Sequence, residues 1–156
     1  MNNWHTGSGE SITFDEIVDI IKEHSKRNGN VFVGTDSFVQ KKKCIFSTAI
    51  ALANADGQKG GRYFFKKNKF NISKYNTLMQ RITSEVQYSI DIGMKILQLC
   101  PKISIELHLD ISDSDKNTKT SKFSEMLVGY AKGNGFDCKI KPDAFAATSI
   151  ADKHSK

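Results

Sequence analysis

The architecture of this chain follows from one segment, VFVGTDSFV at residues 31–39. Apolar residues fall on both faces of the segment, which is typical of a central strand that is covered on both sides. Asp36 lies inside this strand, where an ionised carboxylate requires hydrogen bonds, a cation or a metal ion. A turn aspartate that bonds its own backbone is the alternative interpretation. The segment therefore predicts a buried first strand that carries a candidate functional residue.

Two further strands follow at short intervals. Lys41 to Lys43 predict a hairpin tip, and Cys44 to Ala53 predict a second strand. Asp56-Gly57 opens a turn, after which Arg62 to Phe70 predict a third strand. Three sequential strands with short connections predict an antiparallel meander.

The rest of the chain alternates between helical and strand patterns. Two segments of period-2 alternation, beginning at Ile103 and Phe136, predict a fourth and a fifth strand. Helical patterns surround the strands and cover residues 14–27, 73–99, 123–133 and 144–154. Because helix crossovers connect parallel neighbours, we expect strands four and five to lie parallel to strand one.

These patterns predict an α/β fold with a five-stranded mixed sheet, three antiparallel strands followed by two parallel ones, and helices on both faces. We expect residues 13–156 to form this single domain. Residues 1–12 are polar and contain glycine, and we expect them to form a flexible N-terminal arm.

Composition excludes several classes of protein. The sequence is 38% hydrophobic and 26% charged, which is ordinary for a folded domain and too apolar for a disordered chain. Its apolar runs are much shorter than the ~18 residues of a membrane span, and its start lacks a signal-peptide pattern. We therefore expect a cytoplasmic protein with no membrane partner. The net charge of +6 permits a polyanionic partner such as nucleic acid, but does not demonstrate one.

Two more carboxylates are candidates to join Asp36. Asp110 ends the fourth strand and would come near Asp36 if strands one and four are parallel neighbours; such a pair needs a cation between its charges. Glu85 lies on the apolar side of the long helix, close on the helical wheel to Ile92 and Ile96. Most helix glutamates face water, but this one is a candidate to point toward the sheet.

The end of the chain offers two further acids and two lysines. Asp143 either caps the last helix or joins the other acids near the carboxyl ends of the parallel strands. Asp152 is either an exposed tail residue or a member of the same cluster. Lys139 and Lys141 alternate on the strand that leads into the cluster, where they are either solvated or in contact with phosphates. Converging carboxylates make an oxygen-only site suited to Mg²⁺ or Mn²⁺.

Element order and acid placement together resemble the ribonuclease H-like superfamily. Three motifs resemble those of the YkuK-type family of predicted ribonuclease H-related proteins. They are Gly34-Thr35-Asp36-Ser37, His108-Leu109-Asp110 and Lys141-Pro142-Asp143-Ala144. The resemblance implies that Asp36 bridges two metal ions and that Asp110 and Glu85 complete their shells. It does not decide whether Asp143 or Asp152 is the fourth ligand.

The resemblance also implies a function. It implies a nuclease that hydrolyses phosphodiester bonds of RNA, DNA or a hybrid by two-metal catalysis, with two Mg²⁺ or Mn²⁺ ions. The implied catalytic residues are Asp36, Glu85, Asp110 and Asp143, with Lys139 and Lys141 as substrate-binding residues. A nucleic-acid-binding module that kept the fold and lost the chemistry is the main alternative. A metal-dependent hydrolase of a small phosphorylated compound is a third.

Overall fold

The computed structural model describes residues 3–57, 61–112 and 118–155. Seven strands form one sheet in the order β2-β1-β5-β4-β3-β6-β7. Their bounds are Trp4–Thr6 (β1), Ser11–Ile12 (β2), Asn30–Gln40 (β3), Lys43–Ala53 (β4), Gly61–Asn71 (β5), Ile105–Ser112 (β6) and Asp137–Lys141 (β7). The helices are Phe14–Lys26 (α1), Leu78–Leu99 (α2), Thr118–Gly133 (α3), the π-helix Ala146–Ala151 and Asp152–Ser155 (α4), with 3₁₀ turns at Ala55–Gly57 and Ile72–Lys74.

The mixed α/β sheet predicted from the sequence is confirmed. Strands β3, β4 and β5 form the antiparallel meander, and each neighbouring pair is in register along its whole length. Strand β6 pairs with β3 in parallel, and β7 pairs with β6 in parallel. The helix-containing connections therefore place β6 beside β3 and β7 beside β6, as expected for parallel strands joined by helices.

The expected number of five strands is wrong, because the start of the chain adds two. Within the part of residues 1–12 that the structure describes, Trp4–Thr6 and Ser11–Ile12 form a hairpin where a flexible arm was expected. The hairpin pairs along the edge of β5, with Trp4 opposite Lys66. The Trp4 side chain is only 2% exposed. Burial of the large indole ring and pairing with the β5 edge stabilise a segment whose polar, glycine-containing composition is typical of a flexible arm.

The long second helix begins later than its periodicity predicts. The helical pattern starts near Ser73, but α2 begins at Leu78 because Thr77 and Gln80 form a capping box there. Tyr75, the first residue of the predicted apolar stripe, instead caps the 3₁₀ turn Ile72–Lys74. Within the described residues, no helix has the length and apolar character to cross a membrane.

The two faces of the sheet are covered differently. On one face, Ile17 and Ile21 of α1 and Ile90 and Ile96 of α2 pack with Val33 of β3 in the main hydrophobic core. The opposite face is covered by the alanine-rich C-terminal segment, in which four buried alanines lie against the sheet: Ala144, Ala146, Ala147 and Ala151.

Gly34 allows this segment to approach β3 closely. A Cβ atom at this position would lie 2.5 Å from the backbone nitrogen of Ala147 and 2.7 Å from the carbonyl carbon of Ala146. Since successive residues of a strand point to opposite faces, Gly34 faces the C-terminal segment while Val33 faces the helices. The missing side chain therefore brings the end of the chain against the middle of the sheet.

Candidate metal centre

Three carboxylates converge at the carboxyl ends of β3 and β6. Asp36, Glu85 and Asp110 each offer an oxygen atom, and these atoms lie within 4.8 Å of one another. Gly34 of β3 is the parallel partner of His108 of β6. Asp36 and Asp110, each two residues further along its strand, therefore reach the same edge on the same side. Parallel pairing thus unites two acids that are far apart in the sequence.

Hydroxyl groups on β3 hold α2 so that Glu85 points at this edge. The Ser37 hydroxyl donates a 2.5 Å hydrogen bond to Oε2 of Glu85. One helical turn later, Ser89 is hydrogen-bonded to Thr35 at 2.8 Å. Ser37 and Thr35 alternate on one face of the strand, and Glu85 and Ser89 have the i, i+4 spacing of one helix face. Glu85 is 6% exposed and is directed toward the sheet.

Burial makes these acids hard to ionise without a cation. The pKa of Asp36 is raised to about 9, first by burial and then by hydrogen bonds with Asp110 and Asp152 and by the charge of Glu85. The pKa of Glu85 is raised to about 8, chiefly by burial; the hydrogen bond from Ser37 opposes the rise and the charge of Asp110 adds to it. The carboxylates face one another in a poorly solvated place, where a divalent cation would stabilise their ionised forms.

Lys141 supplies a positive charge beside this group. Its Nζ atom lies 2.9 Å from Oδ1 of Asp110, and that hydrogen bond raises the pKa of the lysine. The register between β6 and β7 shifts after His108, so that Lys141 pairs with Ser112. Such an irregularity redirects a side chain. Lys139 is the strand partner of His108 and is exposed. Of the two lysines predicted to bind substrate, Lys141 is therefore the one that forms an ion pair with the acids.

The structure separates the two candidates for the fourth acid. Asp152, at the start of α4, is hydrogen-bonded to Asp36. Asp143 is exposed and lies outside the group of three carboxylates. The π-helix that crosses β3 at Gly34 carries Asp152 back to Asp36, whereas Asp143 stays beside the end of β7. Of the two acids that the sequence left open, Asp152 is the one in contact with the cluster.

His108 anchors the segment that carries Asp152. Its ring is 1% exposed, and its Nδ1 accepts a 3.1 Å hydrogen bond from the backbone N–H of Ala146. Its Nε2 lies 2.8 Å from Oε1 of Glu106. Because Nδ1 accepts, Nε2 carries the proton and donates to Glu106. Burial lowers the pKa of this histidine, and the neutral ring fits both contacts.

Ser37 is the residue near the cluster that sequence reasoning missed. The signal was present, because Thr35 and Ser37 put two hydroxyls on one face of an otherwise apolar strand. Buried hydroxyls at such positions need hydrogen-bond partners, and a buried acid on the helix that covers the strand can be such a partner.

Comparison with known proteins shows the family to which this chain belongs. The sequence model of the Ribonuclease H-like family matches residues 13–156, so the chain belongs to the ribonuclease H-like family. The uncharacterized protein YkuK of Bacillus subtilis (strain 168) is 27% identical over 168 aligned residues, which cover 96% of this chain and 94% of that protein.

Proposed function

We propose that this protein is a metal-dependent nuclease that hydrolyses phosphodiester bonds of nucleic acid by two-metal catalysis. The observation that carries the proposal is the convergence of Asp36, Glu85 and Asp110, whose oxygen atoms lie within 4.8 Å of one another. The membership of the chain in the ribonuclease H-like family supports the choice of nucleic acid as the substrate.

The acids fit Mg²⁺ or Mn²⁺. The donor set consists of carboxylate oxygens, which hard divalent cations prefer. The raised pKa values of Asp36 and Glu85 come from burial and from the negative charge of neighbouring carboxylates, which a cation would offset. Asp36, Glu85 and Asp110 would hold the ions, with Asp152 as the fourth carboxylate. When bound, such ions supply an activated water and stabilise the leaving oxygen of a phosphodiester.

Other residues of the chain orient the acids and attract the substrate. Ser37 fixes one carboxylate oxygen of Glu85 and leaves the other available. On the face of the sheet that carries Asp36, exposed lysines flank the acids, with Lys67 on β5 and Lys139 on β7. Cations on either side of the site would attract the phosphates of a strand that lies across it, because phosphate contacts contribute most of the affinity for nucleic acid.

Cleavage assays with an isosteric variant test the proposal. With Mn²⁺ present, we expect cleavage of labelled RNA, DNA or hybrid, and we expect Asp36→Asn to slow it more than about 100-fold, because the loss of a metal ligand exceeds the 10–100-fold effect of an outer-shell change. Asp19→Asn, an exposed change on α1, is the matched control and should leave the rate unchanged. Asp152→Asn should slow cleavage more than Asp143→Asn.

Three results would contradict the proposal. Cleavage unaffected by Asp36→Asn would place the chemistry elsewhere. Nucleic-acid binding without uptake of Mn²⁺ would favour a binding module without catalysis. Hydrolysis confined to mononucleotides, with little dependence of binding on salt, would favour a phosphohydrolase of small compounds.

Lys141 should compete with metal for Asp110. Its ammonium group occupies one oxygen of that carboxylate at 2.9 Å, so Lys141→Ala is expected to tighten Mn²⁺ binding, as measured by titration calorimetry. A partly exposed ion pair contributes at most about 1 kcal/mol, which corresponds to about a 5-fold change in Kd. Lys139→Ala removes the same charge from the same strand without breaking this contact. Weaker binding by Lys141→Ala would show that the lysine assists the metal instead.

A further inference from the structure

A pocket lies beside the N-terminal hairpin, on the side of the sheet that carries Asp36. It has a volume of about 390 Å³ and is lined by Asn3, His5, Gly9, Phe65 and Lys67. His5 of β1 is the cross-strand partner of Phe65 of β5. Their rings are stacked, with centroids 5.5 Å apart and planes inclined by 24°. The pocket therefore combines aromatic rings, an amide and a lysine.

The aromatic wall of the pocket is held firmly. The Phe65 ring also stacks on His154, with centroids 3.7 Å apart and planes inclined by 6°. Nε2 of His154 is in turn hydrogen-bonded to the Tyr63 hydroxyl at 2.8 Å. His5 itself is half-buried. A platform that is already ordered loses little conformational entropy when a planar ligand binds to it.

Strand register connects the pocket to the acids. Asp36 of β3 is the partner of Ser47 of β4, and Ser47 is the partner of Lys67 of β5. Directly paired residues share a face of the sheet, so Lys67 lies on the same face as Asp36. Two strand spacings separate them, which is about 10 Å. This equals about three nucleotides of a stacked single strand, at ~3.4 Å each.

Ser47, the residue between them, is fully buried. Its Oγ has no hydrogen-bond partner among the described residues of the chain. A buried hydroxyl without a partner is uncommon, but this one lies beneath the surface and is not a contact for a ligand. Along the row from Asp36 to Lys67, the exposed group is the Lys67 cation.

We propose that this pocket is a subsite for one unpaired base of a single-stranded segment, about three nucleotides from the scissile phosphate. The inference rests on the proposed nuclease function and specifies its substrate as single-stranded nucleic acid near the cleavage point. The base stacks on the His5 ring, which Phe65 supports from behind, while the Asn3 amide bonds the edge of the base and Lys67 contacts the adjoining phosphate. A base paired in a helix cannot enter such a pocket, because its faces are covered by its neighbours.

Binding assays in the absence of cleavage test the subsite. With the full chain in EDTA, fluorescence anisotropy is measured on a labelled single strand of about 12 nucleotides, on its duplex, and on the same strand with abasic residues. We expect the single strand to bind more tightly than the other two. His5→Ala should raise Kd by about 5-fold or more, because one base–aromatic stack is lost, and His5→Tyr should restore binding.

Lys67→Gln supplies a second, independent readout. It should reduce the slope of log Kd against log salt by about 0.7, the value for one phosphate contact on a single strand. Lys22→Gln removes the same charge from an exposed position on α1, on the opposite face, and should leave the slope unchanged. Circular dichroism of His5→Ala checks that the hairpin remains folded.

The outcomes separate the subsite from the nuclease proposal. Equal binding of single strand and duplex, or a Kd and salt slope unchanged in both His5→Ala and Lys67→Gln, would overturn the subsite even if Mn²⁺-dependent cleavage is found. Binding that depends on both residues, without cleavage, would support the subsite and contradict the nuclease.

Discussion

The metal-free protein is expected to lose thermal stability as the pH rises from about 4.5 to about 8. In the folded protein burial raises the pKa of Glu85 from 4.5 to about 8 and that of Asp36 from 3.8 to about 9. Between the unfolded and folded values the native state binds more protons than the unfolded state, so stability falls with rising pH. The stabilisation that comes from the two raised pKa values is fully present below the unfolded-state pKa values of these acids. Asp110, Asp152, Lys141 and Arg81 are the other charged groups that face these two acids.

The expected slope is large enough to measure by calorimetry. Each proton retained by the native state changes the free energy of unfolding by about 1.4 kcal/mol per pH unit. For a chain of this length that corresponds to roughly 3–5 °C per pH unit. Asp36→Asn and Glu85→Gln should each flatten the curve, whereas Asp19→Asn should leave it unchanged. A melting temperature that rises across this window would contradict the assignment of these acids.

Mn²⁺ should reverse the trend. At about 100 times its Kd, a ligand that binds only the native state stabilises it by about 2.7 kcal/mol, or roughly 5–10 °C here. The gain should be greater at about pH 8 than at about pH 5, because the carboxylates must lose their protons to bind the ion. The same stabilisation in Asp36→Asn would show that Mn²⁺ binds elsewhere.

Gly34→Val is expected to detach the C-terminal segment from the sheet. A Cβ atom would lie 2.5 Å from the backbone nitrogen of Ala147, and backbone cannot swing away as a flexible side chain can. Overpacking of this kind commonly lowers the free energy of unfolding by ~1–3 kcal/mol. Because the new side chain would meet backbone, we expect a loss at the upper end of that range, which corresponds to a fall of roughly 6–12 °C in melting temperature.

The same change should reach the acid site. Displacement of the π-helix moves Asp152 away from Asp36, so Mn²⁺ should bind Gly34→Val more weakly in calorimetry than it binds the unaltered protein. Gly129→Ala is the matched control, because Gly129 is an exposed residue of α3 and a Cβ there meets no atom within 4 Å. Alanine favours a helix by about 0.5–1 kcal/mol over glycine, so this variant should be slightly stabilised. An unchanged melting temperature in Gly34→Val would contradict the close packing.

Local patterns predicted the regular elements well. The apolar run at Val31–Val33 and the alternation that begins at Ile103 identify β3 and β6, because period and side-chain volume act within a few residues. Parallel pairing of these strands followed from the helix between them. The location of Asp36 and Asp110 at one edge of the sheet could therefore be predicted from the sequence.

The hairpin at Trp4 could not be found in this way. Its strands are two and three residues long, too short for any period, and they are stable only because the edge of β5 and the main core receive them. The start of α2 was missed for a related reason. The apolar Tyr75 continued the helical pattern, although the capping box of Thr77 and Gln80 begins the helix at Leu78.

The sequence by itself determined the five strands from β3 to β7, the three candidate acids Asp36, Glu85 and Asp110, and the basic character of the chain, since each of these depends on residue type and local spacing. Only the tertiary structure decided that Asp152 rather than Asp143 contacts Asp36, and that Lys141 pairs with Asp110. Both outcomes depend on where non-local segments meet. Gly34 in β3 and the register shift between β6 and β7 set those positions. The distance between two strands, or between a helix and a sheet, has no signature within either segment alone.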